Sequence, residues 1–248
     1  MQLSAFLEEN EMKKLIVIVL AISVILPVAA KACLVTGTIT VTATNDVASD
    51  TKIFDIKGET GSDGKFVWAL DQEASILDGA IESLKLTTNS DPEVGIEFGV
   101  RAGGSATNYT ISSDVVEFTS MTNPDAYASA GISLTDRTNS TPGATITGLF
   151  AGGKIHQARY NETTVWASLV DTFSVTGNTL TKSESKPLSG SEIIDGTLTS
   201  IQSEFKFKLT AQDSAAGTSE FSVTPEPATI CLMGLGAGLA LLRKRAGK

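Results

Sequence analysis

His156 is the single histidine of this 248-residue chain and therefore the obvious candidate for acid–base chemistry. A catalytic triad needs a nucleophile within hydrogen-bond reach of such a base, and the Gly-x-Ser-x-Gly sequence that presents a serine in this way is absent. Cys33 and Cys231 are the only cysteines, so the sequence has no Cys/His cluster for zinc or iron. We therefore expect no catalytic residue, no metal centre and no cofactor, with His156 as a structural strand residue.

Aspartates near turns are candidates for a structural calcium ion, because calcium prefers oxygen ligands. Four of them, Asp46, Asp50, Asp63 and Asp71, lie in or near expected turns. The Asp-x-Asp-x-Asp-Gly loop typical of calcium sites is absent, and aspartate is also a common turn former. We interpret these residues as solvated turn aspartates, with a structural calcium ion as the alternative.

Five aromatic side chains would form a platform for stacking sugar rings if they shared one exposed face: Trp68, Tyr109, Tyr127, Tyr160 and Trp166. Aromatic residues make up only 6% of the chain, so we expect most of them in the core. Paired carboxylates for glycoside hydrolysis are available in so acidic a chain, but the spacing singles out no pair.

The most specific pattern lies near the C-terminus. Pro225-Glu226-Pro227 is followed by fifteen uncharged residues, 228–242, and then by the basic cluster Arg243-Lys244-Arg245. As a helix the uncharged stretch would be about 22 Å long, which is shorter than the ~30 Å hydrocarbon core of a bilayer. Basic residues stay on the cytoplasmic side, so the pattern predicts a short transmembrane helix with the preceding chain outside.

This arrangement resembles the PEP-CTERM sorting signal, in which a Pro-Glu-Pro motif, a short Gly/Leu/Ala-rich helix and an Arg-rich end lie at the extreme C-terminus. The resemblance covers residues 225–248. It implies that Pro225, Glu226 and Pro227 are read by a membrane protease-transpeptidase of the exosortase type, which removes the tail. It also implies a bacterial host that makes extracellular polysaccharide, and hence a cell-surface or biofilm setting. A tail anchor that is never cut is the alternative.

Residues 12–32 have the three-part layout of a secretory signal. A basic start precedes twelve residues that are apolar except for one serine, and small residues precede the expected cut between Ala32 and Cys33. Residues 1–11 contain three glutamates, the wrong charge for a signal, so we predict that translation begins at Met12. A lipid-modified Cys33 is a second interpretation, which a lysine two residues before it fits poorly.

The segment between the two signals is acidic. Residues 33–224 contain 12 basic and 24 acidic side chains, a net charge of −12. Nucleic acid is not expected as a partner, because its binding needs clustered basic residues, whereas an acidic surface suits a hydrated exterior. We predict three parts: a signal peptide at 1–32, an exported domain at 33–224, which is long enough for a sizeable core, and a sorting signal at 225–248.

The exported domain alternates apolar and polar residues with a period of two, as half-buried strands do. Asp63-Gly64 between two short runs predicts a hairpin. An echo between residues 76–84 and 193–201 predicts equivalent turn-and-strand units in two halves, or chance reuse of an Asp-Gly turn. Many short strands and no long amphipathic helix predict an antiparallel β-sandwich or jelly roll. The clearest apolar faces are Ile39/Val41/Ala43, Ile96/Phe98/Val100 and Phe205/Phe207/Leu209, with Val165/Ala167/Leu169 less regular; shorter strand candidates are 65–70, 81–87, 107–112, 115–119, 144–150, 154–160 and 220–224.

These patterns together predict a non-enzymatic structural or adhesive component of the cell surface or extracellular matrix. The expected partners are an exosortase-type processing enzyme, the inner membrane transiently, and extracellular polysaccharide. The alternatives are a carbohydrate-binding module and a polysaccharide-processing enzyme. Exposed coplanar aromatics on one sheet face would favour the module, and two facing carboxylates of raised pKa in a cleft would favour the enzyme.

Overall fold

Antiparallel strands form nearly all the regular structure. The structure, a computed structural model, describes residues 34–61, 63–89, 92–138 and 142–225. Within these ranges a single 3-10 turn occurs at Ala151–Gly153, and no helix is long and apolar enough to cross a membrane. The strands are β1 (Leu34–Thr44), β2 (Ser49–Glu59), β3 (Lys65–Ala69), β4 (Ala74–Ile76), β5 (Gly79–Asn89), β6 (Glu93–Arg101), β7 (Thr107–Ser113), β8 (Val116–Thr122), β9 (Asp125–Thr135), β10 (Ala144–Gly148), β11 (Lys154–Tyr160), β12 (Thr164–Asp171), β13 (Phe173–Val175), β14 (Thr179–Lys186), β15 (Glu192–Ile193), β16 (Thr197–Leu209) and β17 (Ser214–Thr224).

Both predicted targeting segments lie outside the described residues. At the N-terminal side these are the signal peptide 1–32 and the cleavage position between Ala32 and Cys33. At the C-terminal side only Pro225 of the sorting motif is described. The predictions for the other sorting residues also fall outside: Glu226, Pro227, Arg243, Lys244 and Arg245.

The strands form two antiparallel sheets, which confirms the predicted sandwich-like all-β fold. Sheet A has the strand order β12-β11-β16-β7-β1-β2, with β10 and β8 also pairing with β16, and β13 pairing with β10. Sheet B has the order β14-β9-β17-β6-β5-β3, with β15 pairing with β9 and β4 with β5. The sheets hold nine and eight strands, more than the eight strands in all of a jelly roll.

Alternating burial explains why the clearest runs are strands. In β1 the side chains of Ile39, Val41 and Ala43 are fully buried, while the threonines between them lie on the outer face. The outer threonines pair across strands, as Thr42 and Thr51 do with hydroxyls 3.0 Å apart. β6 and β16 bury their predicted apolar faces in the same way. The period of two therefore identified these three strands correctly.

An aromatic cluster joins the two sheets at the centre of the core. The Phe98 ring of β6 lies 4.9 Å from Phe205 and 5.8 Å from Phe207 of β16, centroid to centroid. Tyr109 packs 5.7 Å from Phe207 on the other side. Gly217 makes this packing possible, because a β-carbon there would lie 2.4 Å from the Phe98 ring. Truncating one such ring typically costs about 3–5 kcal/mol.

The hairpin predicted at Asp63-Gly64 is wrong. The turn itself forms, since Gly61 N–H donates to the Lys65 carbonyl and Lys65 N–H donates to the Asp63 carboxylate. The strands on either side do not pair, however: β2 pairs with β1 in sheet A, whereas β3 pairs with β5 in sheet B. The turn therefore carries the chain from one sheet to the other.

The two Asp-Gly echoes are not equivalent units. In the first, Ile76 pairs with Gly79, so the turn closes the β4–β5 hairpin inside sheet B. In the second, the turn at Gly196 follows β15, which pairs with β9 of sheet B, and leads into β16 of sheet A. The prediction of matching turn-and-strand units is therefore wrong.

β12 departs from the predicted alternation. Ala167 and Leu169 are buried as predicted, but Val165 is 43% exposed. The register of β12 against β11 shifts between Ala158 and Arg159, and this irregularity separates Val165 from the buried face. The inward assignment of Val165 is therefore wrong.

Candidate functional site

His156 lies fully buried between the sheets and takes part in a polar chain that crosses the core. Its Nε2 is 2.9 Å from Ser203 Oγ, which is 2.8 Å from Ser219 Oγ in the opposite sheet. Among the described residues, His156 Nδ1 has no hydrogen-bond partner. Burial lowers the pKa of His156 to about 3, so the ring is neutral at neutral pH.

The His156–Ser203 contact has the residue types of a catalytic pair but not the surroundings. In a triad the second ring nitrogen is held by a carboxylate, and the serine oxygen faces a substrate. Within the described part of the chain no side chain bonds Nδ1, and both residues are 0% exposed. The arrangement links β11, β16 and β17 through the core.

The four turn aspartates are distributed rather than gathered. Asp46 lies between β1 and β2, and Asp71 lies between β3 and β4. Asp50, in β2, accepts a 3.3 Å hydrogen bond from Leu77 N–H, while Asp63 lies beyond the other end of that strand. Across residues 34–225, as far as they are described, no three His, Cys, Asp or Glu side chains are grouped to hold a metal ion.

The five candidate stacking aromatics do not share one exposed face. Tyr109 is 1% exposed, and Tyr160 packs against the core. Trp68, in sheet B, packs 5.9 Å from Phe54, and Trp166, in sheet A, stacks 5.5 Å from Phe221. Tyr127 is half-buried in β9.

A polar cavity lies where β6 ends and β17 begins, and we call this part of the sandwich the far end. Two arginines that follow or end strands of sheet B approach each other there. Glu82 Oε1 accepts hydrogen bonds from Arg101 Nε and Arg137 Nη1, both at 3.0 Å. Arg101 Nη2 also lies 3.4 Å from Glu73, whose side chain is 56% exposed. One carboxylate therefore fixes two guanidinium groups side by side.

The floor of this arginine cavity is a clamped stretch of backbone. Gly104 N–H donates to Asp78 Oδ2 at 2.7 Å, and Gln212 N–H donates to the Gly103 carbonyl at 2.8 Å. A β-carbon on Gly103 would lie 2.2 Å from the Asp78 carboxyl carbon, so this position requires glycine. The resulting cavity has a volume of about 400 Å³ and is lined chiefly by Arg101, Gly103, Gly104, Arg137, Thr138 and Gln212.

Tyr109 supports the cavity from inside the core. Its hydroxyl donates a 2.9 Å hydrogen bond to the Arg101 carbonyl. Burial, reinforced by the nearby Asp78 carboxylate, raises the pKa of Tyr109, so the hydroxyl remains a donor. Sequence reasoning missed the whole cavity. The available signal was the placement of arginine, since Arg101 and Arg137 are two of only three arginines in residues 34–225.

The opposite end of the sandwich, which we call the tag end, is where β17 meets the sorting residues. β17 lies between β6 and β9 in sheet B. Near its end Val223 is fully buried and its N–H donates to the Pro92 carbonyl at 2.9 Å. Thr224 still pairs with Asp125, and the next residue, Pro225, is exposed.

Residues 223–245 match the family described as the PEP-CTERM protein-sorting motif. This chain carries a PEP-CTERM sorting motif. The match confirms the resemblance predicted from Pro225-Glu226-Pro227 and the residues that follow. Among curated proteins, none matches the chain. A solved structure of infectious bursal disease virus, Gt strain, aligns with 11% identity and a TM-score of 0.25, covering 90% of this chain and 70% of that chain.

The PEP-CTERM motif implies export, processing by an exosortase-type enzyme and sorting at the cell surface. The matched segment begins at Val223, inside β17, so motif and fold overlap by two residues. No spacer therefore separates the folded domain from Pro225. An enzyme that recognises the motif at Pro225 therefore binds next to the last residues of β17.

Proposed function

We propose that this chain is an exported structural or adhesive protein of the cell surface or extracellular matrix, released from the inner membrane by an exosortase-type enzyme. The observation that carries the proposal is the PEP-CTERM motif joined directly to a central strand of a β-sandwich. The motif directs the protein to the cell surface. The sandwich supplies a compact body whose core lies within β1–β17.

In this proposal, Glu226 is the residue that the processing enzyme recognises. A proline on each side restricts the backbone dihedral φ to about −65°, so the segment loses little conformational freedom when it binds. The Glu226 carboxylate then makes a charge-assisted contact with a basic group on the processing enzyme. The basic cluster Arg243-Lys244-Arg245 fixes the orientation across the membrane of the helix expected at 228–242, which precedes it.

The body acts without catalysis in this proposal. The one histidine–serine contact is enclosed by the core, since His156 and Ser203 are both 0% exposed. A substrate could reach neither atom without opening the sandwich. This observation speaks against a serine-hydrolase mechanism at this pair.

Replacing Glu226 by Ala tests this recognition. In a host with the processing enzyme, we expect Glu226→Ala to be exported and folded but to remain uncut in the inner membrane, heavier than the released parent by the mass of the tail. Glu192→Ala is the matched control, because it removes the same charge from an exposed position of β15. Fractionation and intact-mass measurement follow both proteins. If Glu226→Ala is trimmed and released like the parent, the motif is only a helix start and the proposal fails.

Carbohydrate binding is a second candidate function, and the arginine cavity is the observation that favours it. The cavity is polar and opens to solvent at the far end, so a body held by the tag would present it outward. The stacking aromatics offer no support, because they are divided between the two sheets and mostly packed against the core.

A further inference from the structure

The strand orders of the two sheets end at four edge strands, and three of these edges are guarded against pairing with another chain. β3 has only five residues. β12 and β14 cover each other, since Val170 N–H of β12 donates to the Glu184 carboxylate of β14 at 2.9 Å. Lys186 of β14 also donates to the Trp166 carbonyl of β12 at 3.0 Å. β2 is the fourth edge, with eleven residues, no proline and an unbroken register against β1. A long and regular edge of this kind is a template for a further strand.

The backbone groups along the outer edge of β2 are available to such a strand. Asn45 N–H donates to the Ala48 carbonyl at 3.0 Å, where the β1–β2 ladder meets its turn. Facing residues of an antiparallel ladder alternate between hydrogen-bonded and non-bonded pairs. The even-numbered residues of β2 therefore bond to β1, and Ile53, Asp55 and Lys57 direct their N–H and carbonyl groups away from it. Among the described residues, β2 pairs with β1 alone.

The two halves of β2 differ in the charge that they direct inward. In the first half Lys52 lies opposite buried Val41, so its charge points towards the other sheet. An inward charge of this kind protects an edge from pairing. In residues 53–59 the inward positions are uncharged: Phe54, Ile56 and Gly58. The second half of β2 is therefore the part that is open to a partner.

The outer face of this second half carries two opposite charges. Asp55 and Lys57 are both exposed, and within the part of the chain that the structure describes neither takes part in an ion pair. Antiparallel pairing of two copies centred on Ile56 would place Asp55 of each copy opposite Lys57 of the other. Opposite charges in facing positions stabilise a strand pair. The pattern is complementary to itself, which favours a second copy of this chain over an unrelated strand.

We propose that two copies of this chain pair along residues 53–59 of β2, antiparallel and centred on Ile56. Both copies contribute the same patch, so the pair closes as a two-fold dimer and does not grow into a filament. The two copies of sheet A then form one continuous sheet. This inference concerns assembly and goes beyond display at the surface.

The direction of β2 relates this pairing to the tag end. The turn after β2 leads to Lys65, whose successive neighbours across sheet B are Asn89, Glu93 and Ser222. β2 therefore runs towards the tag end. With Ile56 at the centre, each copy extends four residues, about 14 Å at ~3.4 Å per residue, past the end of its partner's β2. A membrane at the tag end would occupy that space, so the dimer suits the released protein; this last step rests on the proposed function.

Sedimentation of the secreted protein truncated after Pro225 tests the pairing without any processing enzyme. This chain keeps every strand from β1 to β17. We expect a dimer that dissociates on dilution. Asp55→Lys and Lys57→Asp should each weaken dimerisation about tenfold, because like charges then face each other twice. An equimolar mixture of the two variants should regain the parental affinity, because every lysine of one then faces a carboxylate of the other. Glu117→Lys is the matched control, because it makes the same charge change at an exposed position of β8.

A second variant separates pairing from folding. The N–H of Asp55 points away from β1, and proline is tolerated on an edge strand when its missing N–H faces outward. We expect Asp55→Pro to remain monomeric and to unfold at the same urea concentration as the parent monomer. The proposal is overturned if the parent stays monomeric or forms larger assemblies, if the mixture fails to regain affinity, if Asp55→Pro still dimerises, or if Glu117→Lys weakens dimerisation as much as Asp55→Lys. None of these outcomes bears on whether the tail is cut.

Discussion

The two ends of the sandwich are built in opposite ways. At the tag end a central strand runs straight into the sorting motif, with Val223 buried in the core and Pro225 already exposed. At the far end the chain makes turns whose backbone is clamped by side chains such as Asp78, and these turns hold a polar cavity open. In the proposed function, the tag end attaches the domain and the far end faces outward.

Acid should lower the stability of the whole sandwich, because His156 is buried in the core that the two ends share. Its pKa is about 3 in the folded state, below the ordinary value of 6.5. The unfolded chain therefore binds more protons between these values, and stability is complete above pH 6.5 and is lost as the pH falls towards 3. At about 1.4 kcal/mol per pH unit, we expect a loss of about 3 kcal/mol at pH 4 from this residue.

Urea unfolding at pH 7 and pH 4 measures this effect. His156→Leu removes the titrating group, so its stability should fall by about 3 kcal/mol less than that of the parent over the same interval. Equal losses in the two proteins would show that His156 is not buried in its neutral form.

Gly103→Ala should destabilise the backbone of the far end and leave the tag end unchanged. The added β-carbon would lie 2.2 Å from the Asp78 carboxyl carbon and 2.4 Å from its carbonyl oxygen. We expect a loss of about 2 kcal/mol in the free energy of unfolding, with normal processing at the tag end. Gly104→Ala is the control, because its β-carbon makes only an ordinary 3.6 Å contact and should leave stability unchanged. Similar unfolding curves for the two variants would contradict the clamped floor.

Val223→Ala should weaken the packing of β17 at the tag end. Its expected loss of stability is the smallest of the three predictions. Removing two buried methyl groups costs about 1.5 kcal/mol, and the last residues of β17 should then separate more easily from β6 and β9. We expect faster amide hydrogen exchange at the end of β17 and unchanged exchange at the far end. Val67→Ala, at a position 49% exposed in β3, is the control. Equal exchange in both variants would mean that Val223 does not fix the junction.

The sequence predicted strands where one face is apolar. Phe205, Phe207 and Leu209 alternate with polar residues, so β16 was recognisable. β9 was missed because its inner face begins with three alanines, Ala126, Ala128 and Ala130, which give little hydrophobic contrast with the residues between them, Tyr127 and Ser129. β14 was missed because Leu180 is the only apolar residue of Thr179–Lys186, a strand at the edge of sheet B.

Features that depend on pairing between distant segments could not be predicted. The turn at Asp63-Gly64 looks like a hairpin locally, and only the pairing of β3 with β5 places its two strands in different sheets. Arg101 and Arg137 are far apart in the sequence, and both are bound by Glu82 on a third segment. The sorting motif was recognisable because all of its residues are adjacent in the sequence.

The intact mass of the protein released by a host with an exosortase-type enzyme tests the central claim most directly. β17 is paired on both sides, and Val223, one residue before its end, is buried, so we expect an enzyme acting on the folded domain to reach the chain from Pro225 onward. We expect a single released form whose C-terminus lies at or shortly after Pro225, without the basic cluster Arg243-Lys244-Arg245. A released protein that retains Lys248, or one that ends before Thr224, would contradict a tag that is cut beside an intact sandwich.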